Sequence, residues 1–308
     1  MFESILNEEQ QNFIRSSYCS GNNYNTIRQQ IKDIYGMDVG WDLVRYHAVK
    51  KFRQRERKEV NNIYTVLVLS DLHIPHQLDC LFEILEQHKN VDAVVLNGDI
   101  IDCDEISTYD SAESKPLISE MADAHRILLT IEKKIPGVPK YLIRGNHEER
   151  WSRYLARTGT ALNALHSLNI LNEIVEGFTG YDHPNNTAFY CESLINYTVI
   201  DDWWMQMNDV VICHPTSFSK IECRTAANAC DYFSNQGLDF STVIVAHTHR
   251  QGMIFHNGYL GIEQGCLCEQ MKYSKKGDLT YTPWDNGYYL ACFNDGKLDV
   301  NKSRLYMI

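Results

Sequence analysis

The sequence lacks the features of a membrane protein or a secreted protein. No uninterrupted apolar run approaches the roughly 20 residues that a helix needs to cross a bilayer. The first residues, Met1-Phe2-Glu3-Ser4, do not follow the basic and then apolar pattern of a secretory signal. The 10 cysteines are scattered without a Cys-x-x-Cys pair, which favours reduced thiols over a disulfide framework. We therefore expect a cytoplasmic protein that has no membrane partner.

The charge balance excludes another class of protein. The net charge of −11 argues against a chain that coats nucleic acid or membrane with its whole surface, although it allows a local basic site. A hydrophobic fraction of 44% is ordinary for a globular protein. The 308 residues are enough for one large domain and a small appendage.

Residues 1–60 differ from the rest and predict a small helical domain. A first helix is expected near Glu8 to Ser17, and Gly36 is expected to end a second one. Apolar residues recur at helical spacing on both sides of that glycine: Ile27, Ile31 and Ile34 before it, and Trp41, Val44, Ala48 and Phe52 after it. Short helices around a glycine turn resemble a helix-turn-helix.

A basic run follows these helices and leaves two interpretations open. It contains Lys50, Lys51, Arg53, Arg55, Arg57 and Lys58, opposed only by Glu56 and Glu59. One interpretation is an arm that binds nucleic acid. The other is a small helical appendage with a solvated linker helix.

From residue 61 to residue 308 the pattern changes to strands alternating with helices, which predicts an α/β domain. The predicted strands are Ile63–Ser70, Val91–Leu96, Tyr141–Ile143, Val210–Cys213 and Val243–Ala246. The predicted helices are Leu78–His88, Ile118–Ile135 and a long one from Glu148 towards Leu171. Turn sequences at Asn257-Gly258 and Asp295-Gly296 predict β-hairpins in the last third of the chain.

Each of the five predicted strands ends in side chains that bind metals. They are Asp71, His73, Asp99, Asn146, His214, His247 and His249. These oxygen and imidazole donors, with no thiolate among them, suit Mn²⁺, Fe or Zn²⁺ better than Ca²⁺. Seven donors exceed one tetrahedral site and predict two metals that share a carboxylate, for which Asp99 is the candidate. Taken singly, each residue also has an ordinary interpretation, as a turn carboxylate or a core histidine.

The order of these motifs resembles the calcineurin-like metallophosphoesterase superfamily. The motifs are Asp71-x-His73, Gly98-Asp99-x-x-Asp102, Gly145-Asn146-His147-Glu148, a strand-end His214, and His247-x-His249. The resemblance covers about residues 63–308 and implies two stacked mixed β-sheets flanked by helices, a four-layer sandwich. It implies that Asp71, His73 and His249 hold one metal and that Asn146, His214 and His247 hold the other. Asp99 would bridge them, and His147 would face the substrate with Asp102 orienting it.

Three positions depart from the usual pattern of that superfamily. Ala246 and Cys213 precede ligand histidines where glycine is usual, and neither is itself a ligand. Asp102 is followed by Cys103-Asp104, whereas the protein phosphatases of the superfamily have Arg-Gly there. A protein phosphatase is therefore disfavoured.

The expected chemistry is phosphoester hydrolysis with two divalent ions, Mn²⁺ being favoured and Fe, Zn²⁺ or Ni²⁺ being alternatives. Two cations lower the pKa of a bridging water, so that the metal-bridging hydroxide can attack phosphorus near neutral pH, with His147 supplying a proton to the leaving oxygen. The N-terminal basic run favours a phosphodiesterase or nuclease acting on nucleic acid or nucleotides. The alternatives are a phosphomonoesterase, or a nucleic-acid-binding protein that keeps the fold without turnover.

Four arginines flank the third motif and bear on the substrate. Arg144 precedes it, and Arg150, Arg153 and Arg157 follow at helical spacing. They are candidates for lining the path of a polyanion. The alternative is a solvated helix face that Glu148 and Glu149 partly neutralise.

Overall fold

The computed structural model describes residues 6–19, 22–45, 47, 63–108, 114–158, 164, 166–183, 185–270 and 284–308. The chain divides into two compact units, residues 1–62 and residues 63–308. Within the described ranges, no helix combines the length and the apolar character that crossing a membrane requires.

The first unit is a small helical cluster. Its helices are α1 (Glu8–Cys19), α2 (Tyr24–Tyr35) and α3 (Trp41–Arg45). They enclose an apolar core made of Leu6, Ile14, Ile27, Ile31, Val39, Leu43 and Val44. The predicted positions of Ala48, Phe52 and the whole basic run lie outside the described residues. The helix-turn-helix therefore stays a prediction.

Helix α2 begins and ends where its sequence indicates, but its buried face differs from the prediction. The Asn23 side chain accepts the Thr26 N–H at 3.0 Å, and Gly36 ends the helix with a positive φ of 66°. The prediction that Ile34 belongs to the apolar face was wrong, because this side chain is 58% exposed. Tyr35 takes that place and packs edge-on against Phe13, with the ring centres 5.7 Å apart. The buried stripe therefore follows i, i+4 spacing to the end of the helix.

The second unit contains the strands and the remaining described helices. The strands are β1 (Tyr64–Leu69), β2 (Ala93–Asn97), β3 (Lys140–Ile143), β4 (Phe178–Asp182), β5 (Thr187–Cys191), β6 (Tyr197–Ile200), β7 (Trp204–Met207), β8 (Val210–Cys213), β9 (Thr242–Val245), β10 (Gln251–His256), β11 (Tyr259–Gln264), β12 (Gly287–Asn294), β13 (Lys297–Leu298) and β14 (Arg304–Met307). The helices are α4 (Leu81–Gln87), α5 (Leu117–Lys134), α6 (Glu148–Thr158), α7 (Ile170–Glu176) and α8 (Arg224–Asn235).

Two mixed sheets form the centre of this unit. The larger has the order β13-β12-β1-β2-β3-β6, with β14 also paired to β12, and its strands β1, β2, β3 and β6 are parallel. The smaller has the order β10-β11-β9-β8-β7, with β8, β9 and β11 parallel. A separate pair, β4-β5, stands outside both sheets. The two predicted hairpins are present as β10-β11 and β12-β13.

The side chains of β1 show how the layers stack. Val66 and Val68 point to a core shared by the two sheets, which also contains Ile212 and Ile244 of the smaller sheet. Leu67 and Leu69, which alternate with them, join the core formed with helices α4 to α7. Helix α8 covers the outer face of the smaller sheet. The order helix, sheet, sheet, helix is the predicted four-layer α/β sandwich, which is confirmed.

Two features of the middle of the chain were not predicted correctly. The long helix from Glu148 towards Leu171 was wrong, because α6 ends at Thr158 and α7 begins anew at Ile170. Asn169 caps that second helix by accepting the Leu171 N–H at 3.1 Å. The strands from β4 to β7 were not predicted, since they are short, half-exposed segments without a clean alternation.

Candidate metal centre

The carboxyl ends of five parallel strands bring the predicted ligands to one edge of the sandwich. The loops after β1, β2 and β3 carry Asp71 with His73, Asp99, and Asn146, while the loops after β8 and β9 carry His214 and the pair His247 and His249. The loop after β1 is hydrogen-bonded to the loop after β2, because the His73 N–H donates to the Asp99 carbonyl at 2.9 Å. The sheet topology alone therefore gathers side chains that lie up to 178 positions apart in sequence.

The backbone at this edge is strained. Five of the seven residues have a positive φ although none is glycine: Asp71 (50°), His73 (44°), Asp99 (47°), His247 (73°) and His249 (52°). Such conformations disfavour side chains with a Cβ, and they concentrate where a fold holds side chains for a purpose. Five such residues at one edge indicate that the surrounding structure holds these loops in their conformation.

One group of donors surrounds the loop after β1. The His249 Nε2 atom lies 3.1 Å from the Asp71 Oδ1 atom and 3.3 Å from the His73 Nε2 atom. All three side chains are buried. The His249 nitrogen thus lies beside both an imidazole nitrogen and a carboxylate oxygen.

A second group lies beside it and shares Asp99. The His214 Nε2 atom is 3.3 Å from the Asp99 Oδ2 atom and 3.3 Å from the Asn146 Oδ1 atom. His247 joins this group, because its ring nitrogen, that of His214 and the Asp99 oxygen lie within 4.8 Å of one another. The Asp99 Oδ2 atom is also 3.7 Å from the His73 Nε2 atom of the first group. This carboxylate therefore stands between the two groups.

The spacing of these atoms fits divalent cations. Ligands bonded at about 2.0–2.2 Å to one ion stand roughly 3–3.5 Å apart around it. The separations of 3.1–3.3 Å within the two groups agree with that value. Buried carboxylates that face several imidazoles need a compensating charge, which either protons or metal ions supply. The residues present fit two metals with Asp99 between them.

The charges of the site are strongly coupled. Burial disfavours ionisation of Asp99, yet the neighbouring His214 and His147 hold its pKa well below the ordinary value. Burial likewise disfavours a charged His214, but Asp99 and Asp71 raise its pKa to about 10. Burial and the charge on His214 lower the pKa of His247 to about 4. The site thus keeps its carboxylates ionised and able to bind a cation.

Two glycines allow the close approach of these loops. A Cβ on Gly98, whose φ is 75°, would lie 2.2 Å from the His214 ring. A Cβ on Gly145 would lie 2.3 Å from the Asp99 carboxylate. Each glycine of the Gly-Asp and Gly-Asn sequences therefore makes room for a ligand.

Glu148 links two of the loops that carry the predicted ligands, and it was not among the predicted site residues. Its buried carboxylate accepts the N–H groups of Ile100 at 2.7 Å, Gly145 at 2.8 Å and Asp99 at 3.1 Å. One side chain thereby ties the loop after β2 to the loop after β3. The only sequence signal was its place directly after Asn146 and His147.

His147 and Asp102 lie together, as the resemblance implied. The Asp102 Oδ1 atom is 2.9 Å from the Nδ1 atom of His73 and 2.9 Å from the Nδ1 atom of His147, which is also hydrogen-bonded to the Asp102 carbonyl at 2.8 Å. Both imidazoles therefore carry their Nδ1 proton towards Asp102 and leave Nε2 facing the site. Burial disfavours protonation of His147, but Asp99 and Asp102 raise its pKa overall.

The four predicted arginines divide into two sets. Arg150, Arg153 and Arg157 line a cavity of about 230 Å³ together with Asn146 and Thr216. The Arg150 Nη2 atom lies 3.0 Å from the His147 Nε2 atom. Arg144 is not among the residues that line this cavity and lies 4.0 Å from Glu149. This cavity, called the arginine channel below, has a basic lining beside Asn146, and Glu149 neutralises part of it by pairing with Arg153 at 2.7 Å.

One possible metal ligand near the first group, Cys268, was not predicted. The Cys268 Sγ atom lies within 4.8 Å of ring nitrogens of His73 and His249, and all three residues are buried. The seven predicted donors include no thiolate, and the structure places this thiol beside two of them. No spacing pattern links Cys268 to the histidine pair, so the sequence carried no signal for it.

The buried Glu120 next to the site predicts a measurable pH effect on stability. Its Oε2 atom is buried and has no hydrogen-bond partner in the part of the chain that the structure describes. Burial, and then the charge of Asp102, raise its pKa from 4.5 to about 8. The folded state therefore binds this proton more tightly than the unfolded state, and stability falls as pH rises from about 4.5 to about 8.

Glu120→Gln removes that pH-dependent loss. We expect the variant to gain on the order of 2 kcal/mol over the wild type at pH ~8.5, a rise of several degrees in Tm, and to differ little at pH ~5. Thermal unfolding at the two pH values measures it. The exposed Glu83→Gln is the control, and a gain at Glu120 that does not depend on pH would contradict the assignment.

The comparisons with known proteins agree with this geometry. The sequence model described as calcineurin-like phosphoesterase matches residues 64–251. No curated protein sequence matches the chain.

Among solved structures, vacuolar protein sorting 29 from Cryptosporidium parvum is 13% identical over 80% of this chain and 97% of its own, with a TM-score of 0.38. A structure described as a novel archaeal phosphodiesterase is 13% identical over 79% and 99%, with a TM-score of 0.38. A metallophosphoesterase from Sphaerobacter thermophilus is 16% identical over 74% and 83%, with a TM-score of 0.38. These structural scores carry no argument about function.

Proposed function

The chain belongs to the calcineurin-like phosphoesterase family and is a metal-dependent phosphoester hydrolase, and we propose that it is a phosphodiesterase acting on nucleic acid or nucleotides. The observation that supports this substrate class is the channel of Arg150, Arg153 and Arg157, which opens beside Asn146 at the metal-binding edge. In a polymer of phosphodiesters, the phosphates next to the scissile bond can contact these arginines, whereas a small monoester has no such phosphates.

Seven residues would hold the two divalent ions in this proposal. Asp71, His73 and His249 would hold one, Asn146, His214 and His247 would hold the other, and Asp99 would be shared. When bound, two cations supply a nucleophilic hydroxide from water at neutral pH and offset the negative charge of the transition state. Mn²⁺ is the first metal to test, and Fe, Zn²⁺ and Ni²⁺ follow.

The chain's own residues handle the proton. The Nε2 atom of His147 accepts a hydrogen bond from the Arg150 guanidinium at 3.0 Å, and in the protonated imidazole it would donate its proton to the leaving oxygen, while Asp102 holds the proton at Nδ1. The Arg150 guanidinium would then be free to bind a phosphate oxygen of the substrate. His147 and the Arg150 guanidinium would therefore both act beside the phosphoester bond that is broken.

Hydrolysis of two matched esters tests the proposal. A chromogenic phosphodiester and the corresponding monoester are supplied to the purified protein with Mn²⁺ and with a chelator. Turnover of the diester that requires metal is expected. Turnover of the monoester alone would make the protein a phosphomonoesterase, and turnover of neither ester with any of the four metals would favour a binding protein.

The arginine channel predicts a difference between polymers and small esters. Arg153→Ala combined with Arg157→Ala should lower kcat/KM on single-stranded DNA or RNA about tenfold at low salt and reduce the slope of its salt dependence by about one per lost phosphate contact. The small diester should be cleaved as before, since Arg150, the channel arginine that contacts His147, is kept. Kinetics at several salt concentrations measure both effects.

Arg126→Ala is the matched control for the channel. This arginine is 72% exposed and pairs with Asp123 on α5. Its loss should leave polymer cleavage unchanged. If Arg126→Ala lowers polymer cleavage as much as the channel variant does, general surface charge and not the channel explains the effect.

The N-terminal domain, residues 1–60, is proposed to add affinity for nucleic acid. Its basic run lies outside the described residues, so the support is the sequence alone. Replacing Lys50, Lys51, Arg53 and Arg55 by glutamine in the full chain should weaken polymer binding and leave hydrolysis of the small diester unaffected.

A reducing compartment such as the cytoplasm is also proposed, because each of the nine cysteines found in the described residues is a free thiol.

A further inference from the structure

Cys268 lies where a metal ligand would lie. Its Sγ atom and the ligand nitrogens of His73 and His249 are all within 4.8 Å of one another. The two nitrogens are themselves 3.3 Å apart, and the second is 3.1 Å from the Asp71 carboxylate. The four side chains are buried, so no solvent shell separates the sulfur from the first group.

The backbone around Cys268 is fixed against the loop that carries the first group. The preceding residue, Leu267, donates its N–H to the Ser70 carbonyl at 3.1 Å. The Cys268 carbonyl accepts from the Asn286 side chain at 3.0 Å and from the Trp284 indole N–H at 3.3 Å. The Trp284 ring also packs edge-on against His249, with the ring centres 4.2 Å apart. The sulfur is therefore positioned by several independent contacts.

Other buried cysteines show what an inert thiol looks like in this fold. Cys213 and Cys230 are buried in the apolar core beneath α8, where they act as small hydrophobic residues. Among the cysteines in the described ranges, Cys268 alone falls in a group of potential metal ligands. Its neighbour Cys266 contacts the Asp285 carbonyl at 3.6 Å, accepts from the Asn286 amide at 3.5 Å and also accepts a hydrogen bond from the Cys268 thiol. Cys268 is the cysteine whose sulfur lies within 4.8 Å of ring nitrogens of both His73 and His249.

We propose that Cys268 is a thiolate ligand of the metal held by Asp71, His73 and His249. The inference rests on the proposed metal centre and adds a ligand to it. On binding, the sulfur–hydrogen bond is replaced by a sulfur–metal bond and the proton leaves to solvent, with no change of oxidation state. A soft thiolate beside two imidazoles favours Zn²⁺, Fe²⁺ or Co²⁺ over Mn²⁺ at this position. The two metal positions then differ in preference, because Asn146, His214 and His247 offer the other ion only oxygen and nitrogen.

Cobalt substitution tests the ligand by spectroscopy. The full chain is stripped with chelator and loaded with Co²⁺, whose visible d–d bands report that metal is bound. A thiolate-to-cobalt charge-transfer band in the near ultraviolet is expected. Cys268→Ser should lose that band while keeping d–d bands, and Cys230→Ser, a control at a buried thiol in the apolar core, should keep both.

X-ray absorption of the zinc-loaded wild type provides a second measurement that needs no variant. One sulfur per two zinc ions at about 2.3 Å is expected. Absence of a sulfur scatterer, or a charge-transfer band that survives in Cys268→Ser, would overturn the thiolate while leaving the metal centre in place. Failure of the wild type to bind cobalt or zinc would overturn the metal centre itself, and this inference with it.

Discussion

Asp99→Asn should lower kcat for a chromogenic diester by at least about 10³-fold, which corresponds to roughly 4 kcal/mol of activation free energy. The Asp99 Oδ2 atom lies 3.3 Å from the His214 Nε2 atom and 3.7 Å from the His73 Nε2 atom, so that it belongs to both groups of donors. An amide keeps the shape but removes the charge that two adjacent cations need between them. Steady-state rates over a range of Mn²⁺ concentrations measure the loss.

Asp295→Asn is a close control for this substitution. Asp295 has a φ of 51° and Asp99 a φ of 47°, so both backbones lie in the left-handed region that asparagine also accepts. Asp295 is exposed in the turn between β12 and β13, away from the metal edge. We expect wild-type rates from Asp295→Asn. An Asp99→Asn protein that keeps more than about a tenth of the wild-type rate would contradict the shared carboxylate.

His147→Gln should show an effect that depends on the leaving group. For a diester with an alkoxide leaving group, loss of the proton donor should lower kcat about 10²–10⁴-fold. For a nitrophenyl diester, whose leaving group departs without a proton, the fall should be about tenfold or less. Parallel measurement of the two esters in the wild type and the variant gives the ratio.

The control for this experiment is His256→Gln. His256 pairs with Asp231 at 2.9 Å near the hairpin β10-β11 and is not part of the site. Its substitution should leave both rates unchanged. Equal losses on the two esters in His147→Gln would mean that His147 positions the substrate and does not donate the proton.

The fold could be predicted where the apolar pattern of a segment and its place in the order of strands and helices indicate the same structure. Val94, Val95 and Leu96 form a fully buried strand, and a parallel strand of this kind reads as a continuous apolar run. Because five such strands end in one direction, the edge at which Asp99 and His214 meet followed from chain order alone.

Other parts depended on contacts that the sequence does not encode locally. Ile34 has the right spacing for a buried face, but Tyr35 provides the packing at the end of α2. Helix α7 begins anew at Ile170, where Asn169 caps it inside a helical pattern. The site shows the same limit, since Cys268 approaches His249 only through pairing and packing of the segment after β11.

A metal titration with activity as the readout shows how many ions the reaction needs. Protein stripped with chelator is mixed with increasing Mn²⁺, and hydrolysis of the chromogenic diester is followed per chain. We expect no activity in chelator and a rate that keeps rising until two equivalents are bound. Full activity in chelator, or a maximum reached at one equivalent, would contradict a centre in which Asp99 is shared by two metals.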